Sequence, residues 1–130
     1  MKIYVAGKWS DKKIIQSAMD CFKLLGHPIT YDWTQNETQT RSSEELSKFA
    51  YLDMKGVMDA DLLIAIMNDE KYEYRGTFTE IGGAIATGKK IFIYCPKDNY
   101  YCCTNCFFHH PNIKHYQLWN DLLIDLEKLD

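Results

Sequence analysis

Thr77 and Glu80 stand three residues apart in "YRGTFTEIGGAIATGKK" (residues 74–90), just ahead of an apolar run. A threonine followed at that distance by a glutamate is the sequence form of a helix-capping box. A glutamate beside Gly76, Gly82 and Gly83 is equally well placed to face a substrate. With Thr77 as N-cap, Glu80 takes the third helical position, where the helix dipole favours the ionised form and keeps its pKa low. That suits a capping carboxylate, and it suits a nucleophile, which must be charged when it attacks. Gly82 and Gly83 each cost a helix roughly 1 kcal/mol relative to alanine. Something must therefore call for them, such as close approach of a ligand or another backbone.

Other residues offer chemistry at the ends of apolar runs. "AGKWSDKK" (6–13) lacks both G-x-G-x-x-G and G-x-x-x-x-G-K-[ST], so it is neither a dinucleotide fingerprint nor a P-loop. Trp9 gives that segment a flat face on which a base could stack, or a lid over the core rim. Asp32 and Trp33 end the next apolar run, where Asp32 either turns the chain or hydrogen-bonds a ligand. Asp59 and Asp61 both precede "LLIAIM", and spacing alone does not choose between them. A strand starting at residue 61 puts Asp61 at its amino end, away from the expected ligand edge. In "CCTNCFFHH" (102–110), Cys103, Cys106 and His109 or His110 have the spacing of a zinc half-site. The second Cys-x-x-Cys pair is missing, so buried free thiols fit better and no metal is expected.

The elements that position these groups alternate. "KIYVA" (2–6) reads as a buried strand. From Ser10 a helix follows, with Ile14, Ile15, Ala18, Cys21, Phe22 and Leu25 at helical spacing and Gly26 closing it. "PITYDW" (28–33) reads as a second strand and the polar run 34–43 as a loop. A helix opens at Ser43 and carries Leu46, Phe49, Ala50, Met54, Val57 and Met58. "DLLIAIM" (61–67) is a central strand, followed by the helix of residues 77–88 and the strand "KIFIYC" (90–95). A short strand near 113–116 and a last helix over 117–128 complete the chain. This order predicts one α/β domain over residues 1–130: a doubly wound, flavodoxin-like parallel sheet of about five strands flanked by helices. Ligands of such sheets sit at the carboxyl ends of the strands, here regions 6–11, 32–36, 67–77 and 96–112.

Composition bounds the function. At 130 residues, 46% apolar and 25% charged, the chain can bury a globular core. A net charge of −3 without a basic block argues against a nucleic-acid polymer as partner and leaves a small nucleotide open. No window approaches the roughly 20 apolar residues of a membrane span. The apolar start before Lys8 is too short for a secretory signal, and five cysteines make an odd, uneven set. A cytoplasmic protein with reduced thiols is expected.

Three blocks, "IYVAGKW" (3–9), "LDMKGVMDADLLIAIM" (52–67) and "GTFTEIGGAIATGKKIFI" (76–93), resemble in order and spacing the nucleoside 2-deoxyribosyltransferase family. That family includes deoxynucleoside 5′-monophosphate N-glycosidases. The resemblance implies that Glu80 is the nucleophile and that Tyr4 positions it. It further implies that Trp9 lines the base pocket, that Asp61 exchanges a proton with the base, and that Gly76 lets the sugar approach. The ends of the first two strands add Gly7, Asp32 and Trp33 as substrate-binding candidates. Family transferases carry an acid six positions before the nucleophile, where this chain has Tyr74. They also complete the site with a polar residue from a neighbouring subunit, for which Asn112 is the candidate, so a homo-oligomer with shared sites is implied. The implied activity is cleavage or transfer of an N-glycosidic bond through a glycosyl-glutamate, on a nucleoside or its 5′-monophosphate, with no cofactor. The alternatives are a TIR-like NAD glycohydrolase, which also uses a glutamate on such a sheet, and a nucleotide-binding module without turnover, favoured by Tyr74.

Overall fold

In the computed structural model the described residues are 1–36, 42–97 and 104–129. The continuous apolar runs become the sheet. β1 (Ile3–Ala6) and β2 (Leu62–Ile66) are buried along their whole length, as strands covered on both faces must be. β3 (Lys90–Tyr94) and β4 (Ile113–Tyr116) follow, giving a parallel sheet in the order β1-β2-β3-β4. Tyr4 lies opposite Leu63, Leu63 opposite Ile91, and Ile91 opposite Ile113.

Among the described residues the sheet has four strands rather than five. The expected strand over 28–33 shrinks to a single parallel bridge between Ile29 and Ile3. It is held by Ile3 N–H on the Pro28 carbonyl and Thr30 N–H on the Ile3 carbonyl, both 2.9 Å. Local bonds end it. Asp32 Oδ1 accepts from Thr34 N–H (3.0 Å) and from the Thr34 hydroxyl, drawing residues 33–35 into a 3₁₀ turn. The bridge still lies outside β1, so the chain winds first to one side of β1 and then to the other. The strand order therefore reverses between β1 and β2, where a doubly wound sheet opens a crevice at its carboxyl edge.

Helices cover both faces. α1 (Lys12–Leu24) buries Ile15, Ala18, Met19 and Phe22, and Gly26 leaves it at φ +92°. α4 (Trp119–Lys128) shares that face, with the Trp119 ring 5.7 Å from Phe22 and 5.2 Å from Tyr94. α2 (Ser43–Asp59) and α3 (Arg75–Ala86) lie on the other face. α2 buries only Gly56 and Val57, so it meets the core through its last turns. A Cβ at Gly56 would stand 2.9 and 3.0 Å from the Tyr4 ring, and one at Gly83 would stand 2.7 Å from Met54 Sδ. Gly83 thus serves helix–helix approach, whereas Gly82 faces open space. No helix among the described residues is long and apolar enough to cross a membrane.

Candidate active site

α3 begins three residues earlier than the capping box predicts. Arg75 is its first residue, and Tyr74 is the N-cap in the left-handed region (φ 52°). No side chain caps the helix, and Thr77 is buried within the first turn. Glu80 is therefore the sixth helical residue, and its carboxylate turns to the sheet instead of back to the helix start. Tyr4, fully buried on β1, donates its hydroxyl to Glu80 Oε2. The close packing at Gly56 lays the Tyr4 ring under α2 in reach of α3.

A cavity of about 170 Å³ opens over this pair at the crevice. Its walls include Tyr4, Glu80, Asp53, Trp9, Trp33 and Gly76. Gly7, Lys8, Tyr72, Tyr74 and Thr77 complete the lining. The Trp9 and Trp33 rings stand 6.2 Å apart at 36°, and Trp33 is anchored by Nε1–H on the Val5 carbonyl (2.8 Å). A flat apolar wall beside two carboxylates fits a planar heterocycle joined to a polar group.

The carboxylates are perturbed. Burial raises the Glu80 pKa to about 8, against the pull of the Tyr4 hydroxyl, and the Asp53 charge adds to the rise. The low pKa expected from a helix end does not apply, because Glu80 lies past the first turn and in a dry place. Burial also lifts Asp53 to about 6, and its Oδ1 is buried without a hydrogen-bond partner. The Tyr4 hydroxyl is held well above its ordinary value by burial, with the Glu80 and Asp53 charges adding. Two carboxyl groups of unequal acidity facing one cavity are the equipment of glycosyl transfer: one attacks, the other carries a proton.

The sequence candidates divide. Glu80, Tyr4, Gly7, Trp9, Trp33, Tyr74 and Gly76 come together around the cavity. Asp61 does not. It is exposed at the amino end of β2, where its Oδ2 accepts from Lys2 N–H (2.9 Å). It lies at the opposite edge of the sheet from the cavity, whereas Asp53 lines the cavity beside Glu80. Asp32 spends both oxygens on its own turn, accepting from Thr34 and from Gln35 Nε2 (3.3 Å), and does not line the cavity. Asn112 stands just before β4, its carbonyl accepting from Ile91 N–H (2.9 Å), also at the amino edge. Cys103 of the suggested zinc half-site lies outside the described residues. Among the described residues no group of three His, Cys, Asp or Glu side chains could hold a metal.

Asp53, Lys8 and Tyr72 went unread in the sequence. A signal for Asp53 existed: it falls at a stripe position of α2, one turn before Val57 and three residues before Gly56, where an apolar residue belongs.

Solved structures share this fold. A 2-deoxyribosyltransferase from Bacillus psychrosaccharolyticus superposes with a TM-score of 0.76 at 23% identity, over 94% of this chain and 90% of its own. A CMP N-glycosidase from Clostridium botulinum gives 0.67 at 23%, over 98% and 99%. A conserved protein from Enterococcus faecalis gives 0.72 at 18%, over 100% and 99%. No curated protein matches the chain by sequence. The family profile described as nucleoside 2-deoxyribosyltransferase matches residues 3–123.

Proposed function

Since the chain belongs to the nucleoside 2-deoxyribosyltransferase family, we propose that it cleaves or transfers the N-glycosidic bond of a nucleoside or nucleoside monophosphate through a glycosyl ester on Glu80. The observation that carries the reading is the Tyr4–Glu80 pair facing Asp53 across one cavity. Between about pH 6 and about pH 8 the two carboxyl groups hold one proton between them. Glu80, the weaker acid, holds that proton most of the time, and the reactive arrangement is the minor form with the proton on Asp53 and the charge on Glu80.

Glu80 Oε1 gives its electron pair to the anomeric carbon while Oε2 stays bound by the Tyr4 hydroxyl. The carbon–nitrogen bond breaks, its pair goes to the base, and the base takes the proton of Asp53. In the second half, water or another base attacks the same carbon and gives its proton to Asp53, and the Glu80 carboxylate leaves. Water makes the protein a hydrolase; a base makes it a transferase. Trp9 and Trp33 supply the stacking wall, and Gly76, with nothing within 4 Å of where its Cβ would be, leaves room for the sugar. The exposed Leu46, Tyr51 and Met58 of α2 suit burial against a second copy. Asn112 of this chain, remote from its own cavity, is then available to a neighbour's.

The test is incubation with each 2′-deoxynucleoside and its 5′-monophosphate, with and without a second free base, and with NAD in parallel. Chromatography should show free or exchanged base from the deoxy substrates and none from NAD. Glu80→Ala should lower turnover by about 10³-fold or more. Wild-type turnover in Glu80→Ala would remove the nucleophile assignment. Binding without base release would leave a ligand-binding module.

A further inference from the structure

We infer that the cavity is built for a nucleoside whose 5′ carbon ends in a free hydroxyl, and that it disfavours the 5′-monophosphate. This inference rests on Glu80 attacking the anomeric carbon. With that carbon at Glu80, the base is held by the tryptophan wall and by Asp53, which must reach its nitrogen. The wall left for the 5′ arm is Lys8, Tyr72 and Tyr74.

Charge on that wall is already spoken for. Lys8 is the one cation among the described residues that line the cavity. Its ammonium donates to Asp69 Oδ2 at 2.8 Å and stands 4.0 Å from Asp11 Oδ2, a buried oxygen with no hydrogen-bond partner. One ammonium between two carboxylates leaves the trio with a net negative charge. Arg75, at the start of α3, is 90% exposed and turns outward to Glu73 (3.7 Å). The Tyr74 hydroxyl accepts from Asp69 N–H (3.1 Å), and Asp69 Oδ1 accepts from Lys71 N–H (3.0 Å). Asp69 is thereby fixed against Lys8 from three sides.

A phosphate dianion paired to Lys8 would stand beside Asp69, which Lys8 already holds at 2.8 Å, and would share the cavity with Asp53 and Glu80, and like charges brought together disfavour binding. The amino end of α3 offers only about half a positive charge in return. To pair with the phosphate, Lys8 would have to release Asp69 and leave it beside an anion. A hydroxyl asks for none of this. It accepts from an ammonium N–H not used by Asp69 and keeps the ion pair whole. Lys8 and Asp69 thus become specificity-determining residues, the pair standing on the loop after β1 and the loop after β2.

The experiment compares kcat/KM for one 2′-deoxynucleoside and its 5′-monophosphate in the wild type and in Asp69→Asn. The wild type should prefer the nucleoside by about tenfold or more, and Asp69→Asn should narrow that ratio by about tenfold through the KM of the monophosphate. A merely structural role of Asp69 would slow both substrates alike and leave the ratio unmoved, which would overturn the assignment to the Lys8–Asp69 pair. Equal or better use of the monophosphate by the wild type would overturn the inference while leaving the glycosyl chemistry standing. Calorimetry of both ligands on Glu80→Gln separates the two claims. Tighter nucleoside binding with no wild-type turnover of either compound would sink the chemistry and keep the preference; binding of neither would sink both.

Discussion

Tyr4 on β1 donates its hydroxyl to Glu80 on α3, and Tyr116 on β4 donates its hydroxyl to Asp125 on α4 (2.8 Å). Both pairs join a strand tyrosine to a carboxylate on a helix later in the chain. Their electrostatics are opposite. Asp125 also holds Lys114 and lies 3.9 Å from Lys128, and these partners, Lys114 first, keep its pKa below the ordinary carboxylate range. Glu80 has no cation paired to it among the described residues; burial first, with the Asp53 charge adding, lifts it to about 8. A tyrosine–carboxylate bond is therefore not a functional signature. What distinguishes the first pair is a dry cavity, a second carboxyl group and the lack of a neutralising charge.

The sharpest way to break this contrast is to remove the second carboxyl group. Asp53→Asn should cut turnover by about 10²–10⁴-fold, the usual range for a general acid. The pH profile should change with it. In the wild type, the doubly protonated pair lacks a nucleophile and the doubly ionised pair lacks a proton to give. kcat/KM should therefore rise through about pH 6 and fall through about pH 8. In Asp53→Asn only ionisation of Glu80 remains, so a single rising limb is expected. Its midpoint should lie below 8, because the Asp53 charge that raises Glu80 is gone. A bell that survives unchanged would assign the proton to another group.

Tyr4→Phe comes next. The hydroxyl is the one influence that lowers the Glu80 pKa, so its loss should push the falling limb near pH 8 to higher pH. Turnover near neutrality should fall about 10- to 100-fold, the worth of a hydrogen bond to a charged group. An unmoved limb would mean that Tyr4 does not hold the carboxylate in solution. Gly56→Ala probes the same pair through packing. The new methyl would stand 2.8 Å from Tyr31 Cβ and 2.9 Å from the Tyr4 ring. Overpacking should cost about 1–3 kcal/mol, offset in part by up to about 1 kcal/mol of helix propensity. Denaturant unfolding reads the balance, and a gain in stability would show that the α2–β1 contact has room to yield.

The contrast also explains what the sequence made legible. Leu62–Ile66 and Ile3–Ala6 were visible as strands because covered parallel strands are written as unbroken apolar runs. Glu80 was visible as a candidate, but its setting was not. The Thr77–Glu80 spacing is a local pattern, while the hydroxyl that turns Glu80 inward comes from Tyr4, seventy-six residues away. The 28–33 strand was overpredicted because its apolar content says nothing of Asp32 capturing Thr34. Asp61 stands in the place of Asp53 because the family resemblance names it against the strand-end argument, and neither line of reasoning looks for a carboxylate on the buried side of a helix. Burial of a charge is a tertiary fact, and the acid at that stripe position was its one trace in the sequence.

Tyr116→Phe carries the smallest effect and gives the comparison its control. Removing this hydroxyl takes one donor from Asp125 and leaves the Lys114 and Lys128 ammonium groups in place. The ring keeps its edge contact with Phe92 (4.9 Å), so β4 loses no packing. Asp125 then stays charged and paired, and no more than about 1 kcal/mol of stability should disappear. What remains of the pairing should weaken with added salt, as exposed pairs do. Turnover should match the wild type, because the pair faces α4 and not the cavity. Measured beside Tyr4→Phe in the same buffers, this variant isolates the surroundings from the bond itself. Equal losses of turnover in the two would mean that any strand tyrosine holding a helix carboxylate supports activity through the fold, and the special standing of the buried pair would fall.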